Sequence, residues 1–120
     1  MSKRILINCN HGADDAERAT LPFVVANVSA TADQDTVVFL TVEGVRLATK
    51  GYADTIHKDG MPPAADVIRQ FISNGGQVWA CGACTKPRGI TDADLIDGAK
   101  IVTAANFIEE VANGAAVVSV

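Results

Sequence analysis

The sequence is poor in the residue types that usually staple or fill a small domain. Aromatic residues make up 5% of its 120 positions, and there are three cysteines. With so few rings, the core falls to Val, Ile, Leu and Ala. Three is an odd count, which fits a framework of paired cysteines poorly. Long apolar runs are absent too. None approaches the roughly 18 residues of a membrane span. The opening "MSKRILINC" has a basic start, but its apolar run is too short for a signal core and turns polar at Asn8. The expected location is therefore the cytoplasm, with no membrane contact. In that reducing compartment a cysteine pair is more often catalytic or metal-binding than a structural bridge. Basic excess is also missing. Ten Lys and Arg stand against fourteen Asp and Glu, for a net charge of −4. No long basic stripe occurs, so no direct nucleic-acid surface is expected.

What is present suits one globular unit. Hydrophobic residues make up 48% and charged residues 20%, and a chain of this length buries roughly two-thirds of its unfolded surface. We read residues 1–120 as a single domain. "RILIN" at 4–8 is a short apolar strand that stops at the turn-forming "CNHGADD". A helix is expected over about 14–30, with Pro22 kinking it or disturbing its start. "TVVFLT" is a nearly continuous apolar strand, as expected when both sheet faces are covered. A turn at Gly44 and a short helix follow, and residues 52–61 read as a loop. Pro62 and Pro63 suit the first turn of a helix that runs to about Ser73. "QVWAC" is the third strand. "TDADLIDGA" offers a Thr91 cap and a short helix, "KIVTA" a fourth strand, "ANFIEEVANGA" a helix and "AAVVSV" a last strand. Strands alternating with helices imply an α/β fold, a three-layer α/β/α domain on a mainly parallel five-stranded sheet.

That architecture locates function before any motif does, because ligands and reacting groups of open α/β sheets gather at the carboxyl ends of the strands. Those ends carry Asn8 to His11, Thr41 to Gly44, Cys81 to Cys84, and Thr103 with Ala104, so all three cysteines fall on one edge. "VWACGACTKPRGI" is the richest stretch. If a helical turn begins after Cys81, its unpaired N–H groups favour a thiolate there. Lys86 and Arg88 add positive charge, Gly82 keeps the approach open, and Cys84, one turn on, can resolve a mixed disulfide or persulfide. His11 on the same edge is a candidate substrate contact, or a polar residue of a turn.

Other readings compete. Free cysteine is among the most buried residue types, and packing alone suits Cys9 better than Cys81. A thioredoxin-like site is disfavoured because Trp79 does not directly precede Cys81 and no proline stands between the two thiols. Cys9, His11, Cys81 and Cys84 make a Cys₃His inventory sufficient for zinc. Its two halves must then meet across strands spaced about 4.8 Å apart, and no metal is expected. "NHGADD" lacks both glycine-rich phosphate motifs and places Asp14 and Asp15 where phosphate would sit.

The opening strand, the long first helix, "VVFLTVEGV", and the order of strand, Cys81, small residues and Arg88-Gly89-Ile90 resemble the DsrE/DsrF-like (TusD-like) family of small sulfur-relay proteins. The resemblance implies a five-stranded parallel sheet whose second strand lies between the first and third. It implies a strand-end cysteine, here Cys81, that accepts sulfane sulfur as a persulfide and passes it on, without a cofactor. It also implies donor and acceptor proteins as partners, and assembly into trimers or hexamers. Cys84 is a departure from carriers of that type. The expected function is an intracellular sulfurtransferase or sulfur carrier. The alternatives are a thiol-disulfide oxidoreductase or redox sensor that uses both thiols, and a non-catalytic subunit.

Overall fold

The computed structural model describes residues 3–120. Five strands, β1 (Ile5–Cys9), β2 (Thr36–Leu40), β3 (Gln77–Cys81), β4 (Ala99–Val102) and β5 (Ala116–Val118), form one sheet in the order β4-β3-β2-β1-β5. Every neighbouring pair is parallel. All five residues of β2 are buried, because this central strand has a neighbour on each side and a helical layer on each face. The unbroken apolar run "TVVFL" meets that demand.

Two clusters of buried side chains fill the two faces. On one, Ile7, Val38, Leu40, Val78 and Ala80 pack beneath α1 (Ala16–Thr31) and α2 (Ala64–Ser73). Phe23 of α1 and Phe71 of α2 meet there edge to face, with ring centroids 6.0 Å apart. On the other face, Leu6, Val37, Phe39, Trp79, Cys81 and Val102 lie beneath α4 (Ala104–Ala112). This helix links the two sheet edges and so must cross the face. Phe107 is its anchor, stacked on Phe39 at 4.4 Å. Trp79 points into this layer, flanked by the cations of Arg4 and Lys100 at 5.4 and 5.1 Å from its ring. Layers and sheet match the sequence-based expectation of an α/β/α fold.

Element ends differ from that expectation for local reasons. α1 starts at Ala16 rather than near residue 14, because Asp15 is its cap and accepts the Arg18 N–H at 3.0 Å. α2 starts after Pro63, which serves as the cap residue with extended backbone. Within 52–61, Tyr52–Thr55 forms a short 3-10 turn. The Thr91 cap closes a 3-10 turn over Asp92–Asp94, not an α-helix. Pro22 lies inside α1, so the Arg18 carbonyl four residues earlier has no helical N–H to accept. The Cys9 thiol sits 3.8 Å from that oxygen, with the His11 and Ala19 oxygens at similar range. Cys9 is thus packed against the first turns of α1.

Gly76 presses against the fully buried ring of Phe71, where a Cβ would stand 2.2 Å from the nearest ring carbon. Gly76→Ala is expected to cost about 2–3 kcal/mol by overpacking. For a domain of this size that lowers Tm by roughly 10 °C, readable by thermal denaturation.

Candidate functional site: a two-thiol turn at the carboxyl edge

The carboxyl ends of β1, β2 and β3 lie side by side, and three loops leave them. β1 runs into Asn10 to Gly12, and β2 into Thr41 and the 3-10 segment Val42–Ala48. β3 ends at Cys81, the cap residue of the single helical turn α3 (Gly82–Thr85). A 3-10 turn over Lys86–Arg88 follows, with Pro87 inside it, and ends at Gly89 in the left-handed region. Pro87 cannot extend an α-helix past Cys84, so the two thiols stay on one short turn.

The first two loops are pressed together. A Cβ on Gly44 would stand 2.4 Å from the Cys9 carbonyl oxygen, and one on Gly12 2.9 Å from the Glu43 oxygen. The Thr41 N–H donates to the Cys9 oxygen at 3.0 Å, and Gly44 N–H donates to Thr41 at 2.9 Å. Between them Val42 is forced to φ 53°. A β-branched side chain rarely adopts that backbone, and such strain costs on the order of 1–3 kcal/mol.

That conformation turns the Val42 N–H toward the third loop, where it donates to Cys84 Sγ at 3.1 Å. The neighbouring Glu43 carboxylate accepts from Arg88 Nε at 2.8 Å through one oxygen and from Arg46 Nε at 3.1 Å through the other. Arg88 also donates through Nη1 to the Cys84 carbonyl at 3.1 Å. Arg88 therefore clasps the thiol turn to the segment after β2. Its hydrogen bond is the main reason the Glu43 carboxyl titrates below the ordinary value of 4.5, with Arg46 adding to it against some desolvation.

The sequence-predicted site residues separate in this structure. Cys81 ends β3 and begins the helical turn, as the sequence implied, but it is 6% exposed and packs into the layer under α4. Cys84 is half-buried and borders both core clusters. Gly82 lies against β4, where a Cβ would be 3.3 Å from the Val102 oxygen, so its smallness serves packing as well as access. Lys86 is exposed. The charge of Arg88 is directed to a carboxylate rather than to either thiol. His11 belongs to a different cleft of about 540 Å³, lined by Asn8, Asn10, Glu17, Arg18 and Val120 among others. There its Nδ1 pairs with Asp14 at 2.8 Å, which, with the Gly12 N–H, holds the Asp14 carboxyl below its usual value. Burial pushes the Cys9 thiol up to about 11. Among the described residues, no three His, Cys, Asp or Glu side chains group as a metal site, and no helix is long and apolar enough to cross a membrane. Thr41 to Gly44 were expected on this edge, but no motif gave Val42 or Glu43 a role. The one available signal was an acidic residue just after β2 with an arginine in the loop after the neighbouring strand.

Known proteins share the fold and part of the sequence. The family model for the DsrE/DsrF-like family matches residues 3–120. The chain belongs to the DsrE/DsrF-like family. The protein MK0008 of Methanopyrus kandleri is 32% identical over 87 residues, 72% of this chain and 69% of that one. MJ0760 of Methanocaldococcus jannaschii is 30% identical over 97 residues, 81% of this chain but 35% of its own length. The chain thus spans about a third of that relative. Among solved structures, the ychN protein of E. coli superposes over 100% of both chains with a TM-score of 0.81 at 23% identity. At that identity the likeness speaks for the fold.

The three cysteines are expected to react with a thiol reagent in order of access. In native protein Cys84 labels first, Cys81 at least about ten-fold more slowly, and Cys9 only on unfolding. Time-resolved peptide mapping checks this, and prompt labelling of Cys9 would contradict its burial. In acid, Glu43 contributes stability that is present above its unfolded-state pKa. That stability is lost as pH falls through the depressed folded value, below about 4.5. Denaturant titrations between roughly pH 5 and 3 should show a shallower stability loss for Glu43→Gln than for the wild type.

Proposed function

We propose that this protein is a sulfur carrier that holds sulfane sulfur as a persulfide on the Cys81–Cys84 turn and exchanges it with partner proteins. Family membership and fold support a sulfur-relay type of role. The observation that carries the finer reading is the Cys84 sulfur, half-buried at the carboxyl edge and accepting a backbone N–H at 3.1 Å, one helical turn from Cys81. The resemblance implies Cys81 as the sulfur acceptor, but Cys81 is buried and Cys84 is the more exposed thiol, so we assign the acceptor role to Cys84 instead.

The chemistry needs no cofactor. A Cys84 thiolate attacks the outer sulfur of a donor persulfide R–S–SH. A Cys84–S–SH bond forms, the donor S–S bond breaks, and R–S⁻ leaves with the electron pair and takes up a proton. An acceptor thiolate repeats the step in reverse sense and regenerates the Cys84 thiolate. Cys81 is the inner thiol. As a side reaction it can attack the Cys84 sulfur of the persulfide, forming a Cys81–Cys84 disulfide and releasing HS⁻, and an external dithiol reductant then restores both thiols. Lys86, exposed beside the turn, presents positive charge to an incoming partner, while Arg88 is engaged by Glu43 and holds the turn in place. In this reading the protein works in the cytoplasm as a homo-oligomer, with protein donors and acceptors and without direct nucleic-acid contact.

A second reading rests on the same pair. Two thiols within one short turn also suit a thiol-disulfide oxidoreductase. Thiol counting across a redox titration separates the two, because carrier turnover returns both thiols at every delivery, whereas an oxidoreductase cycles through the Cys81–Cys84 bond.

Incubation with a persulfide donor followed by intact mass spectrometry is the direct test. The wild type is expected to gain about 32 Da, one sulfur. Cys84→Ser should reduce the adduct at least about ten-fold, and Cys81→Ser should retain it longer because the inner thiol is gone. No adduct on the wild type, or an undiminished adduct in both variants, would overturn the proposal.

A further inference from the structure

We infer that the Val42 backbone N–H, set by a Glu43–Arg88 clasp, is the anion donor that stabilises charge on the Cys84 sulfur when sulfur is delivered. The inference rests on the carrier reading and assigns roles to two positions that the sequence placed on the edge without a task.

Three observations meet here. Val42 is one of two described non-glycine residues with positive φ, and the only β-branched one. A strained residue of that kind persists only where its surroundings over-determine it. Here they do, through the Gly44 N–H bond to Thr41 and the close seat of Gly44 on the Cys9 carbonyl. The strained peptide sends its N–H to a sulfur on another loop, 3.1 Å away. Finally, Glu43, the next residue, holds Arg88, which holds the Cys84 carbonyl at 3.1 Å. The donor and the sulfur are thus fixed to each other by a second, independent link.

The chemistry explains why such a donor matters. During delivery an acceptor thiolate attacks the outer sulfur of Cys84–S–SH. The acceptor gains an S–SH group, the bond to Sγ breaks, and its electron pair stays on Sγ. Negative charge therefore develops on the atom that Val42 N–H already faces. A preorganised donor aimed at developing charge stabilises the transition state without reorganisation. In the loaded state Sγ is the inner sulfur and carries little charge, so the contact favours release over retention. Val42 acts through its backbone, and Glu43 and Arg88 are positioning residues.

The test combines amide spectroscopy with delivery rates in the 120-residue protein. In the wild type the Val42 amide should exchange slowly with solvent, and Cys84→Ala should speed that exchange at least about ten-fold. Glu43→Ala should displace the Val42 amide resonance and slow delivery to a small-molecule thiol about ten-fold. Glu43→Gln keeps an oxygen acceptor for Arg88 and should recover part of both, which guards against a folding defect. Thermal melts of the Glu43 variants accompany the rates. A Val42 amide unchanged in Cys84→Ala would overturn the contact. A persulfide that forms normally and leaves Glu43→Ala at the wild-type rate would overturn this inference alone. Absence of persulfide on the wild type would overturn the carrier reading and this inference with it.

Discussion

Van der Waals contact between two backbones governs the carboxyl edge. The chain after β2 can sit on the end of β1 only because Gly44 has no Cβ to strike the Cys9 carbonyl. Once that approach is made, the path of the chain through residues 41–44 has little freedom. Val42 takes up a left-handed backbone, its N–H turns toward the loop after β3, and Glu43 comes within reach of Arg88. The thiol turn is held at Cys84 by this one packed junction. Its sulfur meets an N–H and its carbonyl meets a guanidinium.

Charge at this edge is largely settled locally. Two arginines share one carboxylate, so the positive residues near the cysteines act first as ties between loops. Partly exposed ion pairs of this kind contribute little stability singly. Their effect is geometric, because a forked guanidinium fixes the distance between the groups that it bridges. Cys9 shows another side of the same economy of parts. It lies on the functional edge, yet its thiol faces α1 at the carbonyl that Pro22 leaves without a helical partner.

Much of this was legible in the sequence because it depends on local pattern. Apolar runs of strand length separated by helical periodicity specify parallel βαβ units, and those units bring strand ends to one edge. Cys81, Cys84 and His11 were placed on that edge from spacing alone. What failed to show was pairing between loops that are far apart in the chain. Arg88 and Glu43 are 45 residues apart, and no short-range signal connects them. α1 begins two residues later than its apolar pattern suggests, because the Asp15 side chain caps it at the Arg18 N–H.

The sequence by itself determined the layers, the parallel sheet and the collection of three thiols at its carboxyl edge. Those follow from hydrophobic period and from the fixed hand of strand-helix-strand connections. Tertiary structure decided which thiol faces solvent, which one is buried against a helix and which arginine is already engaged. Burial and hydrogen bonding are properties of neighbours in space. Cys81 and Cys84 are three residues apart, yet one lies under α4 and the other against the strained peptide of Val42.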